Sequence, residues 1–240
     1  MIRVLSLSRR AVLLLGVACL LALAAFFPLR IALDLAGLGA HGVTARQVRG
    51  SIWQGGIDGL MLGPVGLGDV RAAVAPGPLL LGRIRLDLSR EGEGDALRGA
   101  WVSGFNHKGI ADVTGSMAAG GLFPALPVSL LEWQDVTVEF AGDACARAEG
   151  RLRVRLNGPY AGLTLSQGLE GPATCDGAAV LFPLVSQTGM ERLSLRIDRD
   201  GRYSARIAVK RAKDGDGAAL AAAGLRAQGE DYVLSLEGRM

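Results

Sequence analysis

Residues 193–207 read LSLRIDRDGRYSARI. Leu193, Leu195 and Ile197 alternate with Ser194, Arg196 and Asp198, and Tyr203, Ala205 and Ile207 alternate with Ser204 and Arg206. A period of two puts one set of side chains on a buried face and the other in water. Asp200-Gly201 lies between the two runs and is an Asp-Gly hairpin signal. The stretch therefore predicts an antiparallel hairpin with one wet face. The same alternation recurs at 84–88 (IRLDL), 136–140 (VTVEF), 152–156 (LRVRL) and 232–237 (YVLSLE). Together these runs predict a mainly β body, an antiparallel, twisted or curved sheet that is sandwich-like or groove-like.

Turn signals punctuate the runs. Gly55-Gly56 separates 51–53 from a strand at 57–62, and Asn157-Gly158-Pro159 ends the strand that begins at Leu152. Further breaks fall at Pro76-Gly77-Pro78, Gly120-Gly121, 124–127 and Gly171-Pro172. Residues 63–68 (GPVGLG) form a turn between strands, with no helix following to make a phosphate loop. Residues 122–131 contain two prolines and read as an irregular crossover, which can divide the sheet into two halves near residue 125. One helix is expected in the body, at 218–228 (AALAAAGLRAQ), weakened by Gly224. With 35 glycines in 240 residues, the chain suits short strands and turns better than a helical bundle.

The N-terminal thirty residues are a different material. Arg3, Arg9 and Arg10 precede an unbroken apolar or small run at 11–27, AVLLLGVACLLALAAFF, closed by Pro28 and Arg30. Seventeen residues at about 1.5 Å each span roughly 25 Å, the short end of a membrane-crossing helix. Basic residues stay on the cytoplasmic side. The resulting organisation is a cytoplasmic 1–10, a transmembrane helix at 11–29 and a periplasmic β-rich body at 30–240. A cleaved signal peptide is the alternative, with Ala22-Leu23-Ala24 as its processing site. Both readings export the body and differ in whether it stays attached.

Net charge is +3, and no Lys/Arg block resembles a nucleic-acid arm, so no nucleic-acid partner is expected. Lys210-Arg211-Ala212-Lys213 is followed at once by Asp214 and Asp216 and reads as a solvated loop. Cys19 lies in the apolar run. Cys145 and Cys175 are the two cysteines of the body, and an even pair in an oxidising compartment suggests one disulfide, with two buried thiols as the alternative. It closes a loop of about 30 residues, worth on the order of 3 kcal/mol.

Chemistry-bearing patterns are not found. His41 and His107 have no partner at ligand spacing. No HExxH, GxSxG or P-loop occurs, and no cofactor or metal is expected. The carboxylates Asp58, Asp69, Asp87, Asp112, Glu132, Asp135 and Glu139 fall mostly on polar faces of strands. Trp53, Trp101 and Trp133 read as core anchors rather than as a stacking platform.

Residues 48–88 carry a more specific pattern. A Gly-x-x-Trp-x-Gly turn (Gly50, Trp53, Gly55) is followed by Leu67-Gly68-Asp69-Val70-Arg71, then by a proline-containing break and 79–83, which ends in Gly82-Arg83. This resembles the N-terminal half of the type II secretion system protein N family. The single N-terminal anchor, the later pair Cys145 and Cys175, and the Asp200-Gly201-x-Tyr203 turn agree with it. The resemblance implies an inner-membrane component of the machinery that moves folded periplasmic proteins across the outer membrane, with other secretion components as partners. It implies no catalytic residues.

Three functional readings follow. The first is a non-enzymatic assembly or scaffold protein of type II secretion, anchored in the inner membrane. The second is a membrane-anchored lipid-handling β-groove. It depends on whether Leu86, Leu88, Val136, Val138, Leu152 and Val154 close into a dry core or line a trough. The third, an exported hydrolase, needs carboxylates or a nucleophile gathered by the fold.

Overall fold

The computed structural model describes residues 9–35, 42–63, 65–92, 96–119, 128–156, 168–210, 217, 220–221 and 224–239. The chain begins with α1 (Arg9–Ala25) and α2 (Leu29–Leu35). Then come β1 (Val43–Thr44), β2 (Gln47–Gly50), β3 (Gly55–Leu62), β4 (Val65–Val74), the single turn α3 (Pro76–Leu79), β5 (Ile84–Arg90), β6 (Leu97–Ser103) and β7 (His107–Ala118). β8 (Val128–Ala141), β9 (Ala144–Leu156), β10 (Leu169–Pro172), β11 (Thr174–Asp176) and β12 (Ala179–Ser186) follow. The last elements are β13 (Glu191–Asp198), β14 (Arg202–Lys210), β15 (Arg226–Gln228) and β16 (Asp231–Arg239).

The sixteen strands of the described residues form one antiparallel sheet in the order β1-β3-β4-β5-β6-β7-β8-β9-β10-β12-β13-β14-β16-β15, with β2 on β3 and β11 on β12. Each alternating run quoted above lies in a strand. Leu193, Leu195 and Ala205 are buried, while Ser194 and Arg206 face outward. The Asp200-Gly201 hairpin closes with the Gly201 amide on the Asp198 carbonyl, and Gly201 has φ +82°.

The sheet supplies its own cover by curling. β8 and β12 are separated by β9 and β10, roughly 14 Å across a flat sheet. Yet the Trp133 and Phe182 rings meet edge to face at 6.4 Å and 83°. Their contact belongs to a cluster that includes Leu131, Val136, Leu152, Val154, Leu184 and Leu195. A second cluster lies under β3–β5 and contains Leu29, Ile57, Leu60, Val70 and Leu86. The curl is aided by bulges. Asp112 and Asp135 fall in register shifts of β7 and β8 and take positive φ of 53° and 49°. Thr137 Oγ1 accepts the Asp112 amide at 3.0 Å, and the Thr114 hydroxyl donates to Asp135 Oδ1 at 2.7 Å.

Four expectations are corrected. The turn expected at 63–68 is shorter, because Val65, Gly66 and Gly68 already pair with β3 as the start of β4. Gly55-Gly56 is not a turn; it opens β3, and residues 51–54 make the turn. Gly171-Pro172 is not a break; Gly171 pairs with Leu152 inside β10, where a Cβ would stand 2.1 Å from the Pro183 carbonyl oxygen. Glycine is needed there for close strand approach, not for bending. The helix expected at 218–228 does not extend to its end. Leu220 and Ala221 are helical, Gly224 turns with φ +87°, and 226–228 is β15, because pairing with β16 outweighs alanine's local preference. The expected break near 125 and the 157–159 turn lie outside the described residues. β7 and β8, on either side of that break, pair directly.

α1 covers 17 residues and none of them is buried. Among the described residues no helix is long and apolar enough to cross a membrane.

Candidate functional site

The family-like motif is the junction between the N-terminal helices and the sheet. Gly50 ends β2 at φ +82°, and a Cβ there would lie 2.4 Å from the Gln54 carbonyl oxygen, so the 51–54 turn requires glycine. The turn presents the Trp53 indole, whose Nε1 donates to the Ala24 carbonyl in the last turn of α1 at 2.9 Å. The Ile52 amide donates to the Phe27 carbonyl at 2.9 Å, and Pro28 bridges to Ser51. On the other side of Ile52, its carbonyl accepts the Val74 amide at 2.7 Å. Leu29 then enters the core, and a Cβ on Gly55 would lie 2.3 Å from its Cδ2. The Gly-x-x-Trp-x-Gly spacing thus gives one tight turn, one long-reaching donor and one vacancy that Leu29 fills.

The other motif residues stand on the neighbouring strand β4 and in the turn between α3 and β5. Gly68 (φ +73°) pairs with Leu60 beside a bulge, and Asp69 Oδ1 accepts the Gly59 amide at 2.8 Å. Arg71 pairs with Glu91 at 2.7 Å. Gly82 (φ +67°) and Arg83 close the turn after α3, their amides bonding the Leu79 and Pro78 carbonyls at 3.0 Å each. In the sequence these residues belong to a motif with no evident role; in the fold they shape the hairpins around the helix junction.

Below the junction is an apolar cavity of ≈ 710 Å³. Leu33 of α2, Val43 and Val48 of the β1–β2 segment, and Leu60, Leu86 and Trp101 of the sheet line it, with Arg30, Arg46, Arg90 and Arg98. Arg90 donates to the Leu67 and Ser116 carbonyls. Of the six diagnostic residues, Val136, Val138, Leu152 and Val154 are in the closed C-terminal cluster. Leu86 and Leu88 line the cavity. The sheet therefore has a dry core in one half and a hollow in the other.

The outward-facing carboxylates of β3–β7 meet arginines. Asp58 pairs with Arg49 at 2.7 Å, while Asp87 and Asp112 share Arg85 at 2.8 and 2.9 Å. Hydrogen bonds to Asp112 first and then Asp87 raise the Arg85 pKa against a smaller opposing effect of burial. Such exposed pairs contribute about 0–1 kcal/mol each. Among the described residues no group of three His, Cys, Asp or Glu side chains converges as metal ligands would. His107 is exposed at the start of β7, and His41 lies outside the described residues. Trp101 and Trp133 are half-buried against the two clusters, so the tryptophans serve three different places.

Cys145 and Cys175 form a disulfide with Cα atoms 5.5 Å apart. It fastens the start of β9 to β11, next to the Cys145 amide bond to the Gly177 carbonyl.

These features define a class: a single curled antiparallel meander, held by a glycine–tryptophan turn to the end of an apolar helix. The chain belongs to the type II secretion system protein N family, whose model, described as "Type II secretion system (T2SS), protein N", matches residues 41–235. The match takes in the sheet from β1 to within β16. Comparison with curated proteins and with solved structures gave no match. Family membership ties the chain to type II secretion and to association with other components of that system.

Proposed function

We propose that this chain is an inner-membrane-anchored, periplasmic, non-enzymatic assembly or scaffold component of type II secretion. α1 is the anchor, with its arginine-rich start in the cytoplasm. The observation that carries the reading is the bond from Trp53 to Ala24, together with membership of the family. It makes the last turn of α1 part of the fold, which favours a retained anchor over a signal cut after Ala24. The seventeen described residues of α1 do not suffice to cross a membrane by themselves, so the proposed anchor also takes in Phe26 and Phe27 of the apolar run. The body then works as a rigid platform. Its sheet edges end in the short strands β1, β2 and β15, which present little unpaired backbone, so partners are bound mainly through side chains.

The test is fractionation of cells expressing the full chain, followed by pull-down from solubilised membranes. The reading expects the intact chain in the alkali-resistant inner-membrane fraction, together with other secretion components. A mature soluble product starting at Ala25, or recovery without any secretion component, would sink it.

The apolar cavity favours a second reading, a lipid-handling groove. A cavity of this size, bordered by arginines, has the chemistry to take an acyl chain with an anionic head. Lipid retained by the purified full chain, and lost on Leu60→Arg, would promote it.

A further inference from the structure

We infer that the hairpin tips beside the helix junction form a membrane-docking surface that rests on the bilayer entered by α1. The inference builds on the anchor reading above.

The tips at 75–83 and 104–106 are at the same end of the sheet as the 51–54 turn. The Val74 amide bonds the Ile52 carbonyl, the Ile52 amide bonds the Phe27 carbonyl, and Gly104 lies against Arg83. Here the chain exposes large apolar side chains: Leu80 is 90% exposed, Leu81 79%, and Phe105 fully. Phe26, at the end of α1, is 79% exposed. Stacked strands do not require this, because a hairpin tip can be made from polar residues. The later tips at the same end are so made, with Asp143 after Gly142 and Arg199-Asp200 before Gly201, and Arg199 bonds Asp143 at 2.9 Å. At the opposite end Met61 and Leu62 are only 38% and 41% exposed. Among the described residues, the hairpin tips with large apolar side chains more than three-quarters exposed are at the end of the sheet that meets α1.

The charge agrees. Residues 75–84 and 104–108 contain no acid, and they carry Arg83 and Lys108, both exposed. Apolar side chains flanked by cations suit the headgroup boundary of an anionic membrane, where aromatic rings also settle. A soluble protein partner would satisfy the apolar side chains equally well. The adjacency to the end of α1 selects the bilayer, because that end delivers the tips to the surface at no additional entropy of encounter.

The test uses the full chain reconstituted into phosphatidylethanolamine–phosphatidylglycerol vesicles. One environment-sensitive fluorophore is attached at native Cys19, or, in a Cys19→Ser background, at Leu81→Cys, Phe105→Cys or Asp143→Cys. All are exposed positions outside the sheet. Lipids carrying a headgroup-proximal nitroxide should quench and blue-shift the labels at 81 and 105, and leave the label at 143 unchanged. A quenched Cys19 label with 81 and 105 behaving like 143 overturns the docking surface and keeps the anchor. Quenching at 81 and 105 without quenching at Cys19 keeps the docking surface and removes the anchor. Shielding of 81 and 105 only when membrane proteins are added, without nitroxide quenching, assigns the surface to a protein and overturns the inference.

Discussion

The Trp53 indole donates its single hydrogen bond to the Ala24 carbonyl at 2.9 Å, across 29 residues of sequence. Ala24 is in the final turn of α1, where backbone carbonyls have no partner within the helix. The bond converts an open helix end into a fixed junction. Trp53→Phe keeps an aromatic ring but deletes the donor together with the pyrrole part of the indole, so it should destabilise the junction by about 1 kcal/mol or more. Hydrogen exchange should report it, with faster exchange at the Ile52 and Val74 amides and no change in β12–β14.

Gly55 and Leu29 occupy one space between them. Gly55→Ala should destabilise the full chain by about 1–3 kcal/mol through overpacking. The Ser51 and Arg49 carbonyl oxygens at 3.0 and 3.1 Å add to the crowding at that Cβ. In a Leu29→Ala background the same substitution should cost less, although the backbone contacts keep the rescue partial. Urea denaturation of the four chains, as a double-mutant cycle, measures the coupling. Additive effects would contradict the packing described.

Removing the Cys145–Cys175 bridge, with a sequence separation of 30, should lower stability by about 3–4 kcal/mol in the chain-entropy model. The double serine variant should show it in denaturation midpoints, while Cys19→Ser, at an exposed site in α1, should leave them unchanged.

Asp200 is held below the ordinary aspartate pKa chiefly by the Arg202 backbone amide, which outweighs an opposing desolvation, with smaller help from attraction and hydrogen bonding by the Arg202 side chain. A depressed carboxylate stabilises the fold above its unfolded-state pKa, and that contribution disappears as pH falls through the folded-state value. The hairpin should therefore loosen only at strongly acidic pH. An NMR titration should place Asp200 below a free aspartate. Arg202→Ala should recover only part of the difference, because the amide remains.

Much of the fold is legible in local pattern. The period-two runs at 84–88, 136–140, 152–156, 193–198, 203–207 and 232–237 all lie in strands, because alternation is a property of the strand itself. The glycine positions are less legible. Gly55 and Gly171 look like turns in sequence, yet both are strand residues whose missing side chain makes room for a neighbour. The residues demanding that room, Leu29 and Pro183, are distant in the chain. Alanine preference at 218–228 likewise gave way to β15, since pairing with β16 is decided by a neighbour that local propensity does not see.

The sequence alone determined that this chain is an apolar helix followed by an antiparallel, mainly β body with one pair of cysteines, and it carried the motif that marks the family. Those properties reside in periodicity, composition and short spacing. Tertiary structure alone decided what the motif does: Gly50, Trp53 and Gly55 lock the end of α1 to the sheet. It also decided that the sheet closes over Trp133 and Phe182 but leaves a hollow beneath α2. Both outcomes depend on how far a sixteen-strand sheet curls. Curl is the sum of twist and of bulges at residues such as Asp112 and Asp135, and it brings together side chains that no local pattern links.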